Sequence, residues 1–296
     1  MNQDKTDRTG GKQDVSVIGP GAVGSSLAEA LSEAGYKIKS VFTRNPNKSR
    51  GYSHRADVTY LLSDMEWTNL GDLIFITTPD DFISDVAETL SGIPGNWKDR
   101  MVVHCSGLLT SDELADVSKK GALTASFHPL QTFTGQSGEN AFQDISISVE
   151  GDEKAVSALQ DIVSDLQSRP VLLNKEQKSM LHVSAVFLSN YMVALGSISD
   201  KLIRTAIPDA DLTLLKPLLL QTASNLSGNP PAEALTGPLA RGDSRTVRKH
   251  LRLLSDYPEF LKVYKILGQV SLHLAEKSES LTDLKMQELK SLLEER

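Results

Sequence analysis

The 296-residue chain has a single cysteine, Cys105. One thiol cannot close an internal disulfide, so the fold cannot lean on one, and a reducing compartment suits it. Basic charge is also scarce: 31 Lys and Arg stand against 38 Asp and Glu, a formal net charge of -7. With no concentrated basic face to neutralise phosphates, the charge argues against a nucleic-acid partner and favours small-molecule chemistry. No apolar run is clean enough to read as a membrane span. The best, Leu181 to Ile198, is broken by His182, Ser184, Ser189, Asn190 and Ser197 and is expected to form a buried helix. The amino terminus lacks the apolar core of a secretory signal, so a cytoplasmic protein is expected. There is no internal repeat. His250, His273 and Cys105 show no ligand spacing, so no metal is expected and packing is their default role.

What is present reads as two domains. The length suits a nucleotide domain plus a smaller partner, and 40% hydrophobic with 23% charged residues is an ordinary globular composition. Residues 1–13 are polar and predict a disordered tail. From Val15 to Asn174, short β-branched runs alternate with helical stretches, the pattern of parallel strands joined by crossover helices. Strands are predicted at 15–18, 38–42, 73–77, 101–104, 123–127, 145–149 and 170–173. Helices are predicted at 22–34, closed by Gly35, from about 80, and at 152–166. Residues 175–296 show no period-two alternation and predict helices punctuated by Pro and Gly. Pro217 should interrupt the helix around 212–226, and 236–243 is too rich in Gly and Pro to be helical. The expectation is thus an α/β Rossmann domain with a mostly parallel, doubly wound sheet over 14–174, followed by an all-α domain over 175–296.

The first strand runs straight into Gly19-Pro20-Gly21-Ala22-Val23-Gly24, which opens a helix. In that setting Gly19 makes the tight turn, Gly21 lets the backbone approach a pyrophosphate, and Gly24 lets helix and strand pack closely. The helix start then holds the anion. An ordinary strand-to-helix turn is the bland alternative. Cofactor choice is read after the second strand, where an NAD site places a carboxylate on the ribose. Here stand Thr43, Arg44 and Asn45, with Lys48 and Ser49 close by. Arg44 offers a donor fork for a 2′-phosphate, and Thr43 and Asn45 add hydrogen bonds, so NADP is expected. A solvated loop arginine is the competing reading.

These glycines, together with Thr77-Thr78-Pro79-Asp80-Asp81, His104-Cys105-Ser106-Gly107, the run 127–133 starting Phe127-His128-Pro129, the segment 182–190 and the run 236–243, resemble the bacterial proteins that join a Rossmann-like domain to a DUF2520 helical domain. That resemblance also relates the chain to pyrroline-5-carboxylate reductase and to 6-phosphogluconate, 3-hydroxyisobutyrate and prephenate dehydrogenases. It implies a helical domain that closes over the nicotinamide, binds substrate and mediates a homodimer.

Ligands of open α/β sheets sit beyond the carboxyl ends of the strands. Thr78, Pro79 and Asp80 follow one such end and are expected beside the cofactor, a simple turn being the alternative. Ser106 ends the next strand, as a group facing nicotinamide or substrate or as a turn serine. His128 ends another. Its imidazole ordinarily titrates near neutrality and can move the proton that accompanies hydride transfer. The segment resembles the His-Pro of prephenate dehydrogenases, whose histidine touches the reacting hydroxyl. Gln131 is a neutral substrate donor. Lys178 and His182, four apart on one helix face, lie about 6 Å from each other along the axis, with Asn190 about 12 Å beyond His182. His182 is expected at the substrate, Lys178 as a substrate-binding cation, and Asn190 at the nicotinamide or a helix interface. The hydroxyacid dehydrogenases' Lys-to-Asn step of four is not reproduced. Asp243 or Ser244 suits a helix cap, and Arg241 could clamp a carboxylate or phosphate.

The expected activity is an NADP(H)-dependent oxidoreductase acting on a small anionic metabolite with a C=O/CH-OH or C=N/CH-NH couple. His128, His182 and Ser106 are its catalytic candidates. The alternatives are a non-catalytic NADP(H)-binding regulator or scaffold, and hydride exchange with a deazaflavin as in F420-dependent NADP reductases.

Overall fold

The computed structural model describes residues 12–44, 58–133, 140–277 and 281–294. The chain forms two compact units, one ending at Asn190 and the other starting at Tyr191.

In the first unit the elements run β1 (Asp14–Ile18), α1 (Ala22–Glu33), β2 (Lys37–Thr43), β3 (Val58–Leu61), β4 (Leu73–Ile76), α2 (Ile83–Ser91), β5 (Met101–His104), α3 (Ala115–Lys119), β6 (Leu123–Pro129), β7 (Ser146–Gly151), α4 (Glu153–Asp165), β8 (Arg169–Leu172) and α5 (Lys175–Leu188). The eight strands order as β3-β2-β1-β4-β5-β6-β7-β8. All described pairings are parallel except β6 with β7. Strand order reverses between β1 and β4, the switch point where such sheets open a crevice. The short strand β3 and helix α3 were not anticipated. Val58, Thr59 and Tyr60 are good strand formers, but four residues are too few for a periodicity reading.

Alternation along each strand divides the core between two faces. Val15, Val17, Phe75, Val103 and Phe127 pack with Leu27 and Leu31 of α1 and Leu159 and Ile162 of α4. Ile18, Ile74, Ile76 and Val102 pack with Ile83, Val86 and Leu90 of α2 and Val117 of α3. Strands buried on both sides should be apolar throughout. Past β5 the second face breaks that rule: His104, Ser126, His128, Ser148 and Glu150 occupy it by the same alternation. Helix α5 starts in a capping box, in which Asn174 accepts from the Gln177 amide at 2.8 Å and Gln177 accepts from the Asn174 amide at 2.9 Å. Its Lys178 is buried, 1% exposed. The compact-unit boundary therefore falls after α5 and not at the end of β8, where the change of sequence character lies.

The second unit consists of α6 (Asn190–Ala206, whose first residue closes the preceding unit), α7 (Lys216–Gly228), α8 (Pro231–Ala234), α9 (Pro238–Arg241), α10 (Ser244–Leu253), α11 (Pro258–Lys277) and α12 (Asp283–Glu294). Pro217 sits in the first turn of α7, after a separate 3-10 turn at Leu212–Leu215, so the expected interruption is there. The expectation that 236–243 is non-helical is corrected: Pro238–Arg241 makes one helical turn, entered at Gly237 and left at Gly242, both with positive φ. Asp243 caps α10, accepting from the Thr246 amide at 3.0 Å and its hydroxyl at 2.7 Å. Val247, Leu272, Leu289, Leu292 and Leu293 make a small core.

A second correction concerns 181–198. By length and composition the span Lys175–Ala206 could cross a membrane, yet its apolar residues are not buried within the chain. Phe187 is 62% and Val193 74% exposed.

Candidate functional site

The sheet order sets the ends of β1, β4, β5 and β6 side by side, so Gly19, Thr77, Cys105 and His128 follow one another along one edge. Three strand steps separate the first from the last, about 14 Å.

At the β1 end, Gly19 has φ +92°, and a Cβ there would lie 2.9 Å from the Thr78 amide nitrogen. A Cβ on Gly24 would lie 2.2 Å from Thr77 Oγ1 and 2.6 Å from the Gly19 carbonyl oxygen. Both positions therefore require glycine. Thr77 locks the turn by donating its hydroxyl to the Gly19 carbonyl at 2.6 Å. Gly21, by contrast, faces space with no atom within 4 Å of its would-be Cβ. It also supplies no side chain to cap α1, whose first turn is Ala22, Val23 and Gly24.

This loop opens on a cleft of about 420 Å³ walled by Gly19, Pro20, Gly21, Thr43, Arg44, Thr78, Pro79 and Phe82, among others. The Arg44 guanidinium stacks 4.6 Å over the Phe82 ring, which holds an exposed cation at the cleft. Thr78 Oγ1 is buried with no hydrogen-bond partner among the described residues. Asn45, Lys48 and Ser49 lie outside the described residues.

A buried polar network follows at the β5 and β6 ends. Ser106 Oγ donates to Asp80 at 2.8 Å and accepts from the amides of Leu108 and Leu109 at 3.2 and 3.0 Å. Its donor and both lone pairs are used, which corrects the expectation of a serine free to meet a substrate. Its carbonyl accepts from Lys178 Nζ at 2.7 Å. His104 Nδ1 accepts from the Ser106 amide at 3.2 Å, so Nε2 carries the proton and donates to the Thr110 carbonyl at 2.9 Å. Glu150 accepts from the Ser111 amide at 2.9 Å, the Ser111 hydroxyl at 2.7 Å and the Ser126 hydroxyl at 3.2 Å.

These surroundings retune the titrating groups. Burial lowers Lys178 to about 8, against the partial pull of Glu150, Cys105 and Asp80. Burial, then the neighbouring cation of Lys178 and the rings of His182 and His104, lowers His128 to about 4. His128 therefore does not titrate near neutrality as its residue type suggests; it is a neutral imidazole there, and Lys178 is the group nearer to pH 7. Burial likewise lowers His104 to about 4 and raises the Cys105 thiol to about 12.

His128 and His182 meet edge to face, ring centroids 5.8 Å apart. They flank Gly107, where a Cβ would fall 2.3 Å from His182 Nδ1 and 2.9 Å from His128 Nε2. His182 Nδ1 is buried and unpartnered among the described residues. Both rings border a groove of about 680 Å³ running from the β6 end along α5, with Gln131 and Asn190 on its wall. Gln131 accepts from the Thr132 amide at 2.9 Å. The first unit thus gathers Ser106, Lys178, His128, His182, Gln131 and Asn190. Arg241 belongs to the second unit, exposed at the end of α9. Sequence reasoning missed Glu150 and His104. Their signal was available: polar residues alternating within strands that should be apolar on both faces.

Two family models match, a Rossmann-like domain over residues 1–129 and DUF2520, a domain of unknown function, over residues 145–270. Fold and glycine loop place the molecule in the Rossmann class. Within it, the chain joins a Rossmann-like domain to a DUF2520 domain. No curated protein matches it in sequence. Among solved structures, it is similar to a Bacteroides fragilis protein proposed to be an NADP oxidoreductase, at 24% identity and TM-score 0.73 over 88% of this chain and 98% of that one. A Thermotoga maritima protein matches at 24% identity and TM-score 0.69, over 90% and 99%. The Aspergillus terreus reductive aminase, solved with NADPH and ethyl-5-oxohexanoate, matches at 15% identity and TM-score 0.58, over 96% and 93%. At these identities the likeness is one of fold.

Proposed function

We propose that the protein is an NADP(H)-dependent oxidoreductase that interconverts C=O with CH-OH, or C=N with CH-NH, in a small molecule. The observation that carries this reading is the cradle at the β1 end: Gly19 and Gly24 forced, Gly21 open, and Thr78 Oγ1 unpartnered beside the cleft. The NADPH bound by the Aspergillus aminase of like fold supports the same cofactor.

Gly19 to Gly24, with Thr78 and Pro79, would hold the pyrophosphate against the start of α1. Thr43 and Arg44, with Asn45 next in the chain, would hold the 2′-phosphate. Asn190 would border the nicotinamide side. Bound there, the cofactor supplies or accepts a hydride. His128 contacts the substrate heteroatom as a neutral imidazole, and His182 and Gln131 orient that group. As hydride adds to carbon, one proton must reach the heteroatom; Lys178, near 8, holds an exchangeable proton of the cluster close to neutral pH. Ser106 positions Lys178 through its carbonyl, and Asp80 fixes Ser106. Among the described residues the groove wall carries no arginine or lysine, and Arg241 stands in the other unit. We propose the couple without assigning its substrate a charge. We also propose a soluble, cytoplasmic homodimer joined through the exposed apolar helices.

Fluorescence titration with NADPH and NADH tests the cofactor. NADPH should bind more tightly, and Arg44→Ala should cost about tenfold or more of that preference, the worth of charge-assisted hydrogen bonds. Stereospecific transfer of deuterium from labelled NADPH into a carbonyl or imine tests the chemistry. His128→Asn should abolish it and leave NADPH affinity nearly intact; a fully active variant removes the role given to His128. NADPH binding without transfer to any metabolite would make the protein a sensor.

A further inference from the structure

The ring of Phe82 stands where an apolar side chain gains little from burial. It is 40% exposed and lies outside the core cluster that its neighbours Ile83, Val86, Ala87 and Leu90 join. Its place is nonetheless fixed. The chain leaves β4 through Thr78 and Pro79 into a 3-10 turn, Asp80–Phe82, in which the Phe82 amide donates to the Pro79 carbonyl at 3.0 Å. The loop that borders the cofactor cleft thus delivers the ring to the cleft's wall.

Arg44 reaches the same wall from the end of β2. Thr43, just before it, is buried and pairs with Leu61 of β3, so the root of the arginine is anchored. The side chain itself is long and has much rotamer freedom to lose. What holds it is the Phe82 ring, 4.6 Å from the guanidinium carbon. Attraction to a ring face takes up no hydrogen-bond acceptor, so the N–H fork is left to grip an anion. The cleft also contains a carboxylate, Asp85. An arginine without a hold would be drawn to that carboxylate and spend its charge there; Arg44 lies over the ring.

We propose that Phe82 is a specificity-determining residue for NADP(H), its ring presenting the Arg44 guanidinium to the 2′-phosphate. The inference rests on the cofactor reading above and adds a positioning residue to it. Orienting a long side chain beforehand raises affinity for the phosphate without a new contact to it. A cofactor that lacks the 2′-phosphate gains nothing.

Fluorescence titrations of the full-length protein with NADPH and NADH test this, read as the ratio of the two dissociation constants. Any contact of the ring with the adenosine that both cofactors share cancels in that ratio. Phe82→Leu should lower the preference for NADPH about threefold, the worth of an exposed cation over a ring, and leave NADH affinity within about twofold. Phe82→Tyr, which keeps a ring face, should retain the wild-type ratio. In an Arg44→Ala background, Phe82→Leu should leave the ratio unchanged, because no guanidinium remains to be presented. Phe82→Met, a second ring-free variant, should repeat the threefold loss and serves if the leucine variant fails to fold. Equal weakening of NADPH and NADH by the ring-free variants, or the same loss of ratio with Arg44 already removed, would overturn the inference. A wild type that binds NADH as tightly as NADPH would sink the cofactor reading instead.

Discussion

The two units treat their apolar residues in opposite ways. In the first, both faces of the sheet are covered, and large side chains such as Phe42, Phe75 and Phe127 are fully buried. In the second, Val247, Leu272, Leu289, Leu292 and Leu293 cluster in a small core, while Leu218 at 63%, Leu220 at 59%, Ile266 at 61% and Val270 at 56% remain exposed. Exposed apolar residues mark an interaction face where they lie side by side. The sheet core is covered on both faces, whereas α5 of the same unit, with Phe187 and Leu188 each 62% exposed, shares the bare apolar character of the second unit; the partner proposed for such surface is a second copy.

Core truncation should give the largest effect and separate the units most clearly. Phe127→Ala removes a ring packed edge-on against Phe75 at 5.4 Å and should cost about 3–5 kcal/mol in urea unfolding. Leu272→Ala, in the smaller core of the second unit, should fall near the low end for such changes, about 2 kcal/mol. Equal costs would break the comparison.

Acid should act next, and on the first unit. The folded values of His104 and His128, about 4, lie below the ordinary 6.5. The unfolded chain therefore binds more protons between pH 4 and 6.5, so stability rises with pH across that window and falls as acid is added. For the fully buried His104 the shift corresponds to roughly 3 kcal/mol. A urea midpoint that stays flat over that range would show that these imidazoles are not held neutral.

The smallest effect on the fold should come from the exposed helices. Val193→Asp with Leu218→Asp should change the stability of a single copy by only about 0.5 kcal/mol each, as surface substitutions do. The same pair should convert a dimer to a monomer in light scattering. A wild-type protein that is already monomeric would leave the exposed face unexplained by self-association.

The glycine loop was the most legible feature, because three glycines fall at fixed spacing between strand and helix and two of them, Gly19 and Gly24, meet backbone demands no other residue satisfies. The sheet was nearly as clear: β-branched runs between helices admit few topologies. The apolar run at 181–198 misled, since hydropathy reports that a helix has an apolar face but not what covers it. The charge state of His128 was hidden as well. It depends first on burial and then on Lys178, fifty positions away in sequence, being folded under the Ser106 carbonyl. Ser106 was misjudged for a similar reason, because residue type cannot show that Asp80 and two amides fill its valences.

The antiparallel strand β7 has a practical consequence. DUF2520 begins at residue 145, just before β7, so the family boundary cuts through a continuous sheet. Expressing residues 1–144 alone would strip β6 of its neighbour and leave a seven-residue strand edge bare. Such edges recruit other chains, so the isolated fragment should precipitate or pair with itself. Any dissection of this protein into working halves has to cut after β8, or later still, after α5.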